Sequence, residues 1–498
     1  MLIWFVALYL LVSIGIGLLA ATRVHSTKDF AVAGRHLPLP VVTATVFATW
    51  FGAEAIFGVS STFVNEGLHG VVADPFGASL CLVIGGIFFS RKLYKLNVLT
   101  LGDYFRLRYN RTIEILSTIC IVLAYLGWVA AQIKALGLIF NVVTDGALSQ
   151  QHGMILGALI VLTYTTLGGM LSVAILDFVQ MGIIIGGMLF IGWLISGQTG
   201  GVMPVIEHAS AAGKLKFFPE PDLWEWIAFL GAGMTMMLGS IPQQDVFQRI
   251  TSARTARIAL WGSLIGASIY FCFTFVPMFI AYSATLIDPD KYAALMAQDS
   301  QLVLPTLVLE QTPVFAQAIF FGSVLAAIMS CSSATLLAPS VAFAENIVRG
   351  FLPHLNDREF LRVMRITIVG FTGAVLSFAL NSESSIFGMV ENAYKVTLAG
   401  AFVPLFFGAF WSRGTTQGAL FAIIGGVASW ILIEILIGEE SLIPPQIIGL
   451  GVSMLGMIAG SLLPQWTGRP TPREDIHEAL HHRAAAETHH TGHPPHPH

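Results

Sequence analysis

TATVFATWFGAEAIFGVSSTF, residues 43–63, is the stretch of sequence that decides the fold. It is apolar enough to lie in a bilayer, yet it carries Glu54 between Gly52 and Gly58. Ionisable groups at membrane depth are costly, and irregular backbone is tolerated there only where it lines a cavity or is buried in protein. We therefore predict that the helix unwinds at residues 48–52, which frees carbonyl oxygens to bind a small cation. A straight helix with glycines for packing is the alternative.

The composition places the rest of the chain in a membrane as well. Of the 498 residues, 55% are hydrophobic and only 11% are charged, and the mean hydropathy is +0.76. Soluble domains carry roughly 25% charged residues, so this surface cannot all face water. A net charge of −4 without a basic cluster argues against nucleic acid as a partner.

The hydropathy pattern predicts an all-α polytopic membrane protein. A spanning helix needs about 20 mostly apolar residues. On that criterion there are about thirteen transmembrane helices, which we number as the first to the thirteenth span. They lie near residues 2–22, 40–64, 71–90, 113–142, 151–170, 171–197, 222–245, 255–285, 312–345, 362–381, 385–411, 415–437 and 444–464.

The distribution of Lys and Arg predicts the orientation. If the N-terminus lies outside, twenty of the 25 basic residues fall on the cytoplasmic side and three fall outside, namely Lys214, Lys216 and Lys291. Cytoplasmic loops are enriched in basic residues, so this asymmetry supports an odd number of spans. We expect an integral protein of the cytoplasmic (inner) or plasma membrane with a cytoplasmic C-terminus. Residues 1–465 form the transmembrane domain, and 466–498 are a histidine-rich tail that we expect to be disordered.

The seventh span shows a second predicted break. It ends LGSIPQQDVFQRI (238–250), where Pro242 removes a backbone donor and Gln243, Gln244 and Asp245 bring three polar side chains together. The second and seventh spans would be the first helices of the two halves of a five-plus-five core, at about residues 40–411. Interrupted helices at corresponding places in two halves are the best sequence pointer to the binding site of a transporter.

Two further spans carry polar groups inside apolar sequence. The ninth contains AAIMSCSSATLLAPS (326–340), whose hydroxyls either bond to their own helix or supply oxygen ligands to sodium. The sixth contains Asp177, which we place near the cytoplasmic face, where it either lines a cation exit route or pairs with an Arg. Lys134 in the fourth span either faces water or pairs with Glu54.

These motifs resemble the sodium:solute symporter family from about residue 25 to 465. TKDFAVAGRHLP (27–38) and LTLGDYFRLRY (99–109) look like its polar loops, and YTTLGGMLSVAILDFVQ (164–180) is the most specific stretch. Within the family, the high-affinity choline transporter branch is the most similar. That likeness rests on TWFG (49–52), LGGMLSVAILDFVQ (167–180), LGSIPQQDVFQR (238–249) and the ninth span through AENI (344–347).

The resemblance implies a LeuT-type inverted repeat, with one extra helix before the ten-helix core and two after it. It also implies a sodium site between the second and ninth spans. On this chain the site would use the carbonyls of Ala48, Phe51 and Ala327 and the hydroxyl of Ser330. Cys331 stands where the family usually has a second hydroxyl, and a thiol is a poor ligand for a hard cation.

The same resemblance suggests where the solute binds. Trp50 and Trp128 stand where the choline branch has tryptophan, whereas Gln243 and Ala78 replace two of its aromatic residues. Fewer aromatic faces weaken the binding of a quaternary ammonium, and more polar groups favour a more polar solute. The predicted solute-binding residues are Trp50, Asp74, Trp128, Gln132, Gln243 and Gln244.

The sequence thus predicts sodium-coupled symport of a small polar or cationic organic solute by alternating access. The expected partners are the solute, sodium and the lipid bilayer, with no cofactor and no metal beyond sodium. Motifs of intramembrane enzymes such as HExxH and GxSxG are not found, so we do not expect an enzyme. The alternative is a membrane sensor that uses a transporter-like fold and signals through a separate partner.

Overall fold

A computed structural model describes residues 2–438 and 441–466 of the chain. Throughout these two ranges the regular structure is helical, and the only β-type pairing is an isolated bridge between Leu37 and Ala253. The predicted histidine-rich tail lies outside the described residues, apart from Trp466.

Most predicted spans appear as single long helices. Within the described ranges, nine helices are long and apolar enough to cross a membrane, or up to eleven if each of two bent pairs counts as one span. The Gln150–Gln198 helix has 49 residues, which at about 1.5 Å per residue is more than twice the thickness of a bilayer core. Its backbone leaves the helical region at Gly169 (φ 53°, ψ −146°), next to the predicted boundary of the fifth and sixth spans. The exact number of spans stays a prediction.

The helices of the spans have the following bounds. In chain order they are Leu2–Ala21, Leu39–Trp50 with Glu54–Glu66, Leu68–Lys95, Arg111–Val143, Gln150–Gln198, Leu223–Gly239 with Gln244–Ser252, Ala256–Ile287, Val314–Asn346, Asp357–Asn381, Ile386–Gly400 with Phe402–Phe410, Thr416–Leu436 and Pro445–Leu462. Shorter helices between them are Thr27–Val32, Leu101–Arg108, Val202–Ala211, Pro289–Asp299 and Val303–Gln311. The ninth span is the most buried of the candidate spans and the first is the least buried.

Both predicted breaks are present. In the second span, the helix ends at Trp50 and resumes at Glu54, and its two parts are inclined at 57°. In the seventh span the helix ends at Gly239 and resumes at Gln244, after Pro242. A helix end leaves backbone N–H and C=O groups without partners in their own helix, so each break presents polar backbone in the middle of the protein.

The two polar loop motifs form short capped helices. Thr27–Val32 begins with a capping box between Ser26 and Asp29, and Leu101–Arg108 begins with one between Thr100 and Asp103. In a capping box, two side chains reciprocally satisfy backbone N–H groups at the helix start. The motifs therefore encode local structure at the helix ends, on the side predicted to be cytoplasmic.

Candidate functional site

Glu54 lies at the break in the second span and is held by two neutral donors from the fourth span. Its carboxylate accepts hydrogen bonds from Trp128 Nε1 (2.9 Å) and Gln132 Nε2 (2.5 Å). Gln132 Oε1 in turn accepts from the backbone N–H of Ala53 at 2.9 Å. Gln132 thus satisfies the Ala53 N–H, which the break exposes, and also orients the Glu54 carboxylate.

Asp245 occupies the corresponding place at the break in the seventh span. Its carboxylate accepts from Trp50 Nε1 at 3.2 Å and from the hydroxyl of Tyr125. The backbone N–H of Asp245 donates to the same Tyr125 hydroxyl at 2.8 Å. Arg249 joins the breaks, because its guanidinium donates to the Asp245 carbonyl (3.3 Å) and to the hydroxyl of Thr49 (2.7 Å).

Four aromatic rings pack together beside these two carboxylates. The centroid of Trp128 lies 5.7 Å from that of Trp50, 5.8 Å from that of Tyr125 and 5.7 Å from that of Tyr394. Aromatic faces and carboxylates both attract cations, so this arrangement suits a positively charged ligand. We call it the aromatic–carboxylate cluster; it consists of Trp50, Glu54, Tyr125, Trp128, Asp245 and Tyr394.

A second polar cluster lies on the N-terminal side of the break in the second span, the side predicted to be cytoplasmic. The Ser330 hydroxyl oxygen is within hydrogen-bonding distance of the Ala48 carbonyl oxygen (3.1 Å) and of the Asp177 carboxylate. Thr45 Oγ1 donates to Asp177 at 2.5 Å. Hydroxyl, carbonyl and carboxylate oxygens are the ligands that hard cations prefer. We call Thr45, Ala48, Asp177 and Ser330 the hydroxyl–carboxylate cluster.

The other residues predicted to bind sodium do not all belong to this cluster. Ala327 is buried one turn before Ser330 on the same helix, and the ring of Phe51 packs on Phe47 at 5.1 Å. The thiol of Cys331 faces a different region. A β-carbon added at Gly52 would come within 2.7 Å of the Cys331 sulfur and 2.8 Å of Glu54 Oε2. Cys331 therefore lies at the edge of the aromatic–carboxylate cluster.

The structure gives definite contacts to three polar residues that the sequence analysis singles out, namely Asp177, Gln244 and Lys134. Asp177 is fully buried and held by hydroxyls. Gln244 accepts from the backbone N–H of Leu101 at 2.8 Å, so it holds the start of a short helix and does not reach the aromatic–carboxylate cluster. Lys134 Nζ donates to the carbonyl of Ser384 at 2.7 Å, and not to Glu54.

Asp74 and Gln243 bring polar atoms without partners to the edge of the aromatic–carboxylate cluster. Asp74 Oδ1 accepts from Tyr270 at 2.5 Å, whereas Asp74 Oδ2 is buried and has no partner among the described residues. Gln243 Nε2 donates to Thr397 at 3.2 Å, and Gln243 Oε1 is likewise unpaired. Buried polar groups are normally hydrogen-bonded, and these two atoms lie where a ligand at the cluster can reach them.

A cavity of 480 Å³ opens from the side predicted to be outside. Gly58, which lines it, lies one turn beyond Glu54 on the same helix. Ala73, next to Asp74, lines the cavity as well. The cavity thus leads toward the aromatic–carboxylate cluster, and its polar lining includes Ser61, Asn65, Glu66, His69, Gln301 and Glu391.

Sequence reasoning did not assign several residues that the structure brings to the site. The sequence marks Glu54 and Asp245 as polar groups at the breaks but does not assign either one to a binding site. Tyr125 carries a detectable signal, since it precedes Trp128 by three residues and so lies on the same helix face. Tyr394 lies in an apolar helix far along the chain, and no local pattern distinguishes it from a core residue.

Comparisons with known proteins identify the family and the fold. The model of the sodium:solute symporter family matches residues 30–426. The high affinity choline transporter 1 of Homo sapiens is 28% identical over 89% of this chain and 77% of its own length. The sodium/proline symporter of Escherichia coli (strain K12) is 26% identical over 91% of both chains.

A solved structure of a Na⁺-coupled sialic acid symporter, in a substrate-bound outward-open state, covers 93% of this chain at a TM-score of 0.80 and 17% identity. The match covers 97% of the sialic acid symporter chain, and that symporter has a novel Na⁺-site. The chain therefore belongs to the sodium:solute symporter family and has the LeuT-type helical fold of sodium symporters. It is an integral membrane protein that moves a solute with sodium.

Proposed function

We propose that this protein couples sodium entry to the uptake of a small organic cation that binds at the aromatic–carboxylate cluster. The observation that carries the proposal is the pair of buried carboxylates, Glu54 and Asp245, set among four aromatic rings. The side-chain donors to both carboxylates are neutral. A buried carboxylate is costly unless a positive charge or several donors compensate it. The buried Arg249 lies against Asp245 and offsets one of the two charges, and a cationic solute supplies the second positive charge.

The hydroxyl–carboxylate cluster is the proposed sodium site. Its oxygens come from the second, sixth and ninth spans, so sodium would join elements that move relative to each other in alternating access. Ala48 supplies its carbonyl because the helix ends two residues later, at Trp50. The position of Cys331 beside Glu54 supports Ser330 as the ninth-span hydroxyl of this site. Asp177 is then a ligand or a close neighbour of sodium.

One sodium ion is a sufficient driving force. Moving one charge across 100 mV yields about 2.3 kcal/mol, and a tenfold concentration ratio adds about 1.4 kcal/mol. Together these terms sustain a solute accumulation of roughly a few hundred-fold. A cationic solute is also drawn inward by the membrane potential, so its uptake is electrogenic.

The test begins with a thermal-shift screen of amines, betaines, amino acids and neutral sugars, with sodium or potassium as the only salt. Bound ligands stabilise a folded protein by mass action, so the screen identifies the solute and its ion dependence together. Uptake of the solute is then measured in proteoliposomes with an inward sodium gradient. We expect at least about tenfold stimulation over a potassium gradient, and its loss when an ionophore dissipates the sodium gradient.

Two results would contradict the proposal. If only neutral or anionic solutes bind, the aromatic–carboxylate cluster does not select a cation. If a bound solute is never taken up, the sensor alternative replaces transport.

A further inference from the structure

The aromatic–carboxylate cluster contains more hydrogen-bond acceptors than donors. Glu54, Asp74, Gln243 and Asp245 are all no more than 2% exposed. Each carboxylate oxygen of Glu54 has one described side-chain donor, whereas it can accept about two. Asp74 Oδ2 and Gln243 Oε1 have none. Asp74 bonds to Tyr270, whose ring centroid lies 6.3 Å from that of Phe51 at the break in the second span. Gln243 bonds to Thr397, one turn beyond Tyr394, so both acceptors lie beside the aromatic–carboxylate cluster.

The neighbouring cations do not supply the missing donors. The bonds of Arg249 go to the carbonyl of Asp245, to Gln248 and to Thr49. Lys134 is bound to loop carbonyls at Ser382 and Ser384. Among the described residues, neither cation forms a hydrogen bond with Glu54, Asp74 or Gln243. Tyr394 O–H and Arg249 Nε are buried without partners but form no bond with these acceptors in the described residues, so a ligand N–H can donate to them.

The aromatic rings are arranged to support the carboxylates more than to enclose a bulky cation. Two ring faces that sandwich an ammonium group at the usual contact distance have centroids up to ~12 Å apart. Here the centroid of Trp50 lies 5.7 Å from that of Trp128 and 6.4 Å from that of Tyr394. The rings contact one another, and both indole N–H groups are directed to carboxylates.

From this excess of acceptors we infer that the solute carries at least one N–H on its charged nitrogen. The site selects primary, secondary or tertiary ammonium compounds over their quaternary analogues. An N–H group donates a charge-assisted hydrogen bond to a carboxylate, whereas a quaternary nitrogen has no proton to donate. This inference rests on the proposed function and concerns the specificity of the same site.

The expected discrimination exceeds what one methyl group contributes through size. A hydrophobic contact with one methylene changes selectivity by about 10–200-fold, whereas a site built to hydrogen-bond an N–H rejects an analogue without it by a larger factor. Because the extra methyl group favours the quaternary member, we expect the net preference for the N–H compound to be at least about tenfold.

The experiment uses two matched pairs on the full-length protein in saturating sodium. N,N-dimethylethanolamine is compared with choline, and trimethylammonium with tetramethylammonium, at pH 7, where the tertiary amines are protonated. Dissociation constants are measured by calorimetry. Within each pair the compounds differ by one methyl group in place of one N–H. Tighter binding of the tertiary member in both pairs supports the inference.

Variants test whether the acceptors cause the preference. Glu54→Gln and Asp74→Asn should each reduce the ratio of dissociation constants to below about threefold. Glu220 is an exposed loop carboxylate paired with Lys216. Its substitution Glu220→Gln should leave the ratio of dissociation constants unchanged. If either buried variant does not fold, the other variant and the ratio of dissociation constants in the wild type still test the inference.

The outcomes separate the inference from the proposed function. Equal or tighter binding of the quaternary members overturns the N–H inference and leaves the organic cation in place. If no ammonium compound binds while a neutral solute is transported, both the N–H inference and the proposed transport of an organic cation are contradicted.

Discussion

At the scale of single residues, Ser330 has the largest predicted effect on ion coupling. Its hydroxyl contacts the Ala48 carbonyl and the Asp177 carboxylate, which belong to two other spans. Other hydroxyls of the same helix bond to its own backbone; Ser332 donates to Ile328 O and Thr335 to Cys331 O. The hydroxyl-rich sequence therefore contains two kinds of residue, and only the structure separates them.

We predict that Ser330→Ala impairs sodium dependence and leaves folding intact. Loss of one oxygen ligand should raise the sodium concentration for half-maximal uptake about tenfold, equivalent to about 1.4 kcal/mol. The matched control is Ser340→Ala on the same helix, because the Ser340 hydroxyl bonds to Leu336 O at 2.7 Å. Uptake is measured against sodium concentration in proteoliposomes. Equal effects of the two substitutions would remove Ser330 from the sodium site.

How far single residues can be predicted depends on whether their signal is local. Glu54 is conspicuous because a charge in an apolar span is costly, and Trp50 and Trp128 are found through family resemblance. Tyr394 is not predictable, since its role arises only when the eleventh span packs against the second and fourth. Gln244 appears polar and central in the sequence, yet it bonds to Leu101, 143 residues away, and so holds the start of a short helix.

At the scale of elements, the break in the second span is the feature on which both clusters depend. Proline and glycine predict where a helix ends, so both breaks could be located from sequence. What closes the break is Gln132, which is 79 residues away from its partner Ala53. Such a contact arises from packing across the helix bundle and cannot be predicted from the hydropathy of the sequence.

We predict that Gly52→Ala disrupts solute binding. The added β-carbon would lie 2.7 Å from Gln132 Oε1 and from the Cys331 sulfur, so the contacts that hold Glu54 must shift. Overpacking of this kind costs about 1–3 kcal/mol of stability, and solute affinity should fall at least about tenfold.

The control for Gly52→Ala is Gly186→Ala in the sixth span, because a β-carbon at Gly186 meets nothing within 4 Å. That change should be neutral or stabilising by about 0.5–1 kcal/mol, since alanine favours helix over glycine. Thermal unfolding and solute titration on both variants make the comparison. Unaltered solute affinity in Gly52→Ala would show that the close contacts at the break do not position Glu54.

At the scale of the whole molecule, the two clusters share one interrupted helix. Ala48 offers its carbonyl to the hydroxyl–carboxylate cluster, and Ala53 and Glu54 bond to the fourth span. Five residues of backbone thus separate the proposed sodium contact from the proposed solute contact. A ligand that fixes the break on one side reduces the cost of ordering it for the other. The family fold was predictable from motifs, but this proximity required coordinates.

We therefore predict that sodium and solute increase each other's affinity by the same factor. Thermodynamic linkage requires equal factors for two ligands of one protein, and such couplings are typically about 5–150-fold. Calorimetric titration of solute with and without sodium, and of sodium with and without solute, measures both factors independently. Ser330→Ala should reduce both toward one, and Ser340→Ala should leave both unchanged. Independent binding of the two ligands would mean that the second span does not couple them, and the sodium site would then have to lie away from Ala48.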